Sequence, residues 1–180
     1  AKTEEGHIRL RLQYKPGGNG QTGVSLQSIA IQDNGAGMTP EKMRQVLHRI
    51  GDSEKIHLAL RGEQGIGLLA FSLIAEELHL AATASEGTPS SCLVLKRSWL
   101  RRGRAEVLER CPVHEHTQRG TIAYLAGILP AVAPQLSKQQ VKDYLGQQFA
   151  SDLRANLYAM SISDDHDFEH IYPQRFRGVK

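Results

Sequence analysis

Ile8, Leu10, Leu12 and Tyr14 are apolar, while His7, Arg9, Arg11 and Gln13 between them are polar. That two-residue period is the mark of a half-buried strand. Pro16-Gly17-Gly18-Asn19-Gly20 follows as a turn, and a return strand through Leu26, Ile29 and Ile31 reaches Asp33, which predicts a hairpin. Thr39 and Pro40 read as an N-cap and first helical residue. After them Met43, Val46, Leu47 and Ile50 fall at i, i+3, i+4 and i+7, the buried stripe of a helix. Residues 51–61 show no clear period. The run from Leu68 to Ala75 reads as a second helix opening at Gly67, and strand-like runs follow at 78–83, 92–97, 105–110 and 121–125. Ser137-Lys138-Gln139-Gln140 has the form of a capping box, and Val141, Tyr144, Leu145 and Phe149 continue it as a helical stripe. Leu153, Leu157 and Met160 predict one more helix, ending near Ser161, and residues 164–180 read as a loop with room for a short strand. The whole is an α/β (α+β) pattern, a two-layer sandwich of helices on a mixed, mostly antiparallel sheet.

Composition narrows this only a little. At 180 residues with 40% hydrophobic content, the chain is long enough for one core, so residues 1–180 are expected to form a single domain. A net charge of +3 permits an acidic partner without demanding one. Cys92 and Cys111 make no disulfide framework and fit no zinc spacing. No run approaches the roughly 18 apolar residues of a membrane span, and no signal-peptide pattern opens the chain, so a cytoplasmic location is expected.

The candidate chemistry lies in two glycine-rich turns on either side of the first predicted helix. Asp33-Asn34-Gly35-Ala36-Gly37-Met38 closes a strand, where a buried carboxylate can accept a hydrogen bond from an exocyclic amine and glycines let the backbone approach a flat base. Arg61-Gly62-Glu63-Gln64-Gly65-Ile66-Gly67 runs into a helix, so its free backbone N–H groups suit phosphate. Either turn alone is a weak signal.

Their pairing, order and spacing resemble the second and third motifs of the GHKL ATPase superfamily, which includes DNA gyrase B, the heat-shock chaperone ATPase, sensor histidine kinases and MutL. Gly120-Thr121, before Ile122-Ala123-Tyr124-Leu125, matches the later Gly-Thr of that family, and the likeness covers about residues 24–126. The wording of residues 61–67 is most similar to the topoisomerase VI B and prokaryotic chaperone-like branch. The resemblance implies a Bergerat-type ATP-binding fold that uses ATP and Mg²⁺. Asp33, Gly35, Gly37, Met38 and Thr121 would then sit at the adenine, and Gly62, Gln64, Gly65, Ile66 and Gly67 at the phosphates. It further implies hydrolysis coupled to closure of a lid over residues 51–61, and homodimer formation. The family's first motif, a helix with a Glu that polarises water and an Asn that binds Mg²⁺, has no match here. Residues 1–6 read as the segment that follows it, and the chain has no initiating Met. A fragment lacking its N-terminal helix is therefore expected, one that binds nucleotide weakly and hydrolyses it poorly or not at all.

Two rival readings use the same residues. One is a histidine-kinase-type catalytic domain that passes phosphate to a partner. The other is a non-hydrolysing assembly module that contacts nucleic acid or a protein client through Lys96-Arg97-Ser98-Trp99-Leu100-Arg101-Arg102-Gly103-Arg104, whose basic residues surround the single Trp. A solvated hairpin tip is the plainer account of that stretch, and Lys55 and Arg61 read mainly as solvated charges. Cys111-Pro112-Val113-His114-Glu115-His116 lacks a fourth zinc ligand, and the acidic residues 164–170 lack a calcium-loop glycine, so no metal site is expected.

Overall fold

The computed structural model describes residues 5–16, 24–51, 66–84, 91–100, 106–108, 119–164 and 167–174. The alternating segment forms β1 (His7–Pro16), which pairs antiparallel with β2 (Val24–Asp33). The pairing slips at one place: Gln13 faces Ser28 while Tyr14 faces Leu26, so Gln27 is an extra residue on β2. This bulge puts Leu26 and Ile29 on one face although they are three residues apart. Beyond it the period of two carries Ile29, Ile31 and Asp33 along the same face as Leu12, Leu10 and Ile8.

After the Asp33 turn, α1 (Pro40–Gly51) starts at Pro40, with the Lys42 N–H donating to Thr39 Oγ1 at 3.3 Å as the N-cap reading requires. The helix opening at Gly67 is shorter than its apolar run suggested. A single α turn, α2 (Ile66–Leu69), tightens into a 3₁₀ turn at Ala70–Leu73, and Ala75 already begins β3 (Ala75–Thr83). Ala75, Leu78, Leu80, Ala81, Ala82 and Thr83 are buried, and this demand for a central strand overrides local helical propensity. Then come β4 (Ser91–Lys96), the short helix α3 (Arg97–Leu100), β5 (Glu106–Leu108) and β6 (Gly120–Ile128). A 3₁₀ turn at Ala133–Gln135 leads to α4 (Lys138–Gln148), α5 (Ala150–Arg154), β7 (Ala159–Ser163) and β8 (Glu169–His170).

Ser137 caps α4 in the reciprocal manner expected, its hydroxyl accepting from Gln140 N–H while the Gln140 side chain accepts from Ser137 N–H. Two other expectations fail here. Tyr144 is 63% exposed, so it stands off the stripe formed by Val141, Leu145 and Phe149. The helix through Leu157 and Met160 does not form: α5 ends at Arg154, Asn156 adopts a positive φ of 51° and turns the chain, and Met160 and Ile162 become inward residues of β7.

The strands of the described residues form one eight-stranded sheet in the order β5, β4, β3, β6, β2, β1, β7, β8. Every pair is antiparallel except β1 with β7, which is parallel, so the sheet is mixed and mostly antiparallel as read from the sequence. One face carries the main core, in which Leu12, Leu26, Leu93, Leu95 and Ile162 meet Met43 of α1, Phe71 and Leu153 of α5. Each such side chain contributes about 1.5–3 kcal/mol by leaving water. The other face holds a small cluster of Ala81, Cys92 and Val94. The expected two-layer α/β sandwich is present. Among the described residues no helix is long and apolar enough to cross a membrane.

Candidate functional site

The ends of β2, β6 and β3 meet at one corner of the sheet, and two glycines set how closely. In the β2–β6 register Asp33 lies directly opposite Thr121, and Thr121 in turn lies opposite Ala82 of β3. Directly opposed residues of an antiparallel pair share a face, with Cβ atoms about 4.5–5.5 Å apart. The Asp33 carboxylate and the Thr121 hydroxyl therefore stand side by side on the face that carries the helices.

Gly120 has a φ of +134°, and a Cβ there would lie 2.1 Å from the Asp33 carbonyl oxygen, so only glycine lets β6 begin against β2 here. Gly37, at φ +64°, lies over the end of β3, where a Cβ would fall 1.9 Å from the Thr83 carbonyl oxygen and 3.0 Å from that of Gly120. The Asp33 turn is thus folded back onto the three strand ends, an arrangement that requires glycine at position 37.

Asp33 is half-buried, and its Oδ1 accepts the Gly35 backbone N–H at 2.8 Å. Among the described residues its other oxygen has no hydrogen-bond partner, and neither has the Thr121 hydroxyl. An acceptor and a hydroxyl that can donate or accept are left side by side. Ile31 precedes Asp33 by two residues on the same face and is 37% exposed, opposite Ala123 of β6. Met38 and Leu68 are partly buried against the main core, so the Asp33 turn and the α2 turn rest on one apolar layer. Next to the corner, the His7 ring approaches Ser161 Oγ at 3.0 Å. Burial first, then the Arg9 and His170 charges, push the His7 imidazole below its ordinary value.

Of the residues singled out in the sequence, Asp33, Gly35, Gly37, Met38 and Thr121 are brought to or beside this corner. Ile66 and Gly67 open α2. Gly62, Gln64 and Gly65 lie outside the described residues, as do Lys55, Arg61, residues 101–104 and 111–116. In the basic stretch, Lys96 pairs with Glu77 at 2.9 Å and Arg97 with Glu76 at 3.1 Å. The acidic stretch is similarly occupied: Asp164 and Glu169 bind Lys138 and Lys142 rather than one another. Among the described residues no cluster of three His, Cys, Asp or Glu could hold a metal ion.

Three contributors escaped the sequence reading. Thr83 supplies the backbone that Gly37 lies against, Ile31 was read only as a core strand residue, and Asn34 ties the turn to β1. For Ile31 the signal was available, since the strand period puts it on the same face as Asp33.

A search of curated proteins found no match to the chain. Residues 5–122 match the family described as Histidine kinase-, DNA gyrase B-, and HSP90-like ATPase. The matched span covers more than half of the chain and contains the β1–β2 hairpin, the Asp33 turn and the Gly120-Thr121 corner, so this protein belongs to that ATPase family.

Proposed function

We propose that these residues bind ATP, with the adenine at the corner of β2, β6 and β3 and the triphosphate at the glycine turn that leads into α2. The observation that carries this reading is the pairing of Asp33 with Thr121, each keeping hydrogen-bonding capacity that no described residue uses. Adenine presents an amine donor beside a ring-nitrogen acceptor. The free Asp33 oxygen accepts from the amine, and the Thr121 hydroxyl donates to the ring nitrogen or to a bridging water. A purine with a carbonyl at that position would set two acceptors against each other. Ile31 and Met38 offer apolar surface to the ring, Gly35 leaves the Asp33 carboxylate uncrowded, since a Cβ there would lie 2.8 Å from Oδ1, and Gly37 lets the turn lie against β3.

At the other end, Gly62, Gly65 and Gly67 supply backbone N–H donors and Gln64 a side-chain donor, with Ile66 between them. Because α2 is a single turn, local amides carry most of the attraction and the helix dipole adds little. Mg²⁺ bound together with the nucleotide would neutralise phosphate charge, and no described residue is assigned to hold it. The 180 residues contain no match to the family's Glu and Asn helix, so no residue here is assigned to hydrolysis. The wording of residues 61–67 is what supports placement in the topoisomerase VI B and chaperone-like branch.

Thermal unfolding with a panel of nucleotides tests the proposal. ATP at one hundred times its Kd is expected to stabilise the fold by about 2.7 kcal/mol. Inosine triphosphate at the same concentration should stabilise it less. Equal shifts, or none with ATP, would contradict the assignment.

A further inference from the structure

Asn34, the residue that follows Asp33, is tied by its side chain to the segment that opens β1. Asn34 Oδ1 accepts the His7 backbone N–H at 2.7 Å, and Asn34 Nδ2 donates to the Glu5 carbonyl at 2.9 Å. The Asn34 backbone N–H donates to the His7 carbonyl at 3.3 Å. With one acceptor and one donor facing a neighbouring main chain, the side-chain amide behaves as a peptide group would and continues the β1–β2 ladder past the Ile8–Asp33 pair. On the opposite flank, Gly120 presses against the same segment: a Cβ there would stand 3.2 Å from Asn34 Cα.

The segment from Asp33 to Asn34 is therefore held between β1 and β6. Held so, it aims the next N–H, that of Gly35, back at Asp33 Oδ1 at 2.8 Å. One carboxylate oxygen is satisfied within the turn and the other is left for a ligand. Asp or Gly would also suit a turn at this position, but neither offers both an acceptor to His7 and a donor to Glu5, and Ser has only one short-reaching atom for the two roles.

We propose that Asn34 is a positioning residue for base recognition: by pinning the turn to residues 5–7 it keeps the Gly35 N–H on one Asp33 oxygen and so fixes the orientation in which the other faces the exocyclic amine. This rests on the ATP reading above. Asn34 acts through Gly35 and Asp33 and touches no base.

The experiment compares the 180-residue chain with Asn34→Ala and Asn34→Asp in two measurements. Hydrogen exchange of the Gly35 amide reads the link from Asn34 to the turn without any nucleotide. Calorimetry with ATP and with inosine triphosphate reads the consequence. Asn34→Ala is expected to speed Gly35 exchange and to weaken ATP about tenfold, the scale of one hydrogen bond, while inosine triphosphate changes by less than about twofold. Asn34→Asp keeps the acceptor, loses the donor, and should fall between wild type and Asn34→Ala; it also decides the matter if Asn34→Ala does not fold. Unchanged Gly35 exchange, or equal weakening of both nucleotides, would overturn the proposal and leave Asn34 a structural residue only. If the wild type binds neither nucleotide, the ATP reading fails by itself, and the exchange measurement still decides whether Asn34 sets the turn.

Discussion

Gly37 shows how little room the corner leaves for a side chain. Its φ of +64° is a left-handed value, and the missing Cβ would overlap the Thr83 carbonyl oxygen at 1.9 Å. Gly37→Ala therefore combines backbone strain with a backbone clash, and neither partner is a flexible side chain that can swing away. We expect it to destabilise the fold by about 1–3 kcal/mol, read as a lower urea midpoint at unchanged slope. Ala36→Gly, one residue earlier in the same turn, is the control and should shift the midpoint by less than about 1 kcal/mol. If Gly37→Ala proves neutral, the turn does not lie on β3 as described. The same residues show why the candidate site was only partly readable. Asp33, Gly35 and Gly37 carry their signal in a short local string, whereas Thr83 meets Gly37 through its backbone carbonyl, and a backbone contact has no signature in a sequence.

Among the elements, α4 is tied to the far edge of the sheet by charge. Lys138 binds Asp164 at 2.9 Å and Glu169 at 2.5 Å, and Lys142 binds Glu169 at 2.7 Å. These bonds, Lys138 first and Lys142 next, hold the Glu169 carboxyl down at about 2. A folded-state value below the unfolded one means that this contribution is present above the ordinary glutamate range near 4.5 and is lost as pH falls toward about 2. Urea midpoints measured from pH 6 to pH 2 should therefore fall less steeply for Glu169→Gln than for the wild type between about pH 4.5 and 2. The gap between the two proteins should close at the acid end and shrink in high salt, because the Glu169 carboxylate is exposed. Parallel pH profiles would show that the cluster does not hold α4. The start of the neighbouring β7 reads as helix in the sequence for a definite reason. Leu153, Leu157 and Met160 satisfy helical spacing, yet Met160-Ser161-Ile162-Ser163 also satisfies the period of a strand, and pairing with β1 decided between them. A parallel partner more than 140 residues away leaves no local trace.

At the scale of the whole molecule, the β1–β2 hairpin, β6, the capping box of α4 and the fold class were all legible, because alternation and capping are local and the core face confirms them. The order of strands was not, since β6 inserts between β2 and β3 by contacts that no neighbouring residues announce. That insertion is what brings Thr121 opposite Asp33, so the site is a product of topology: two positions 88 apart in the chain are joined by one rung of a ladder.

Calorimetric titration of the chain and of Asp33→Ala with a non-hydrolysable ATP analogue and Mg²⁺ tests this most directly. A hydrogen bond to a charged group contributes about 1.5–3 kcal/mol, so Asp33→Ala should weaken the adenine nucleotide roughly 10- to 100-fold and leave the inosine nucleotide nearly unchanged. Equal affinity of the two proteins for the ATP analogue would contradict a base held by the carboxylate at the end of β2.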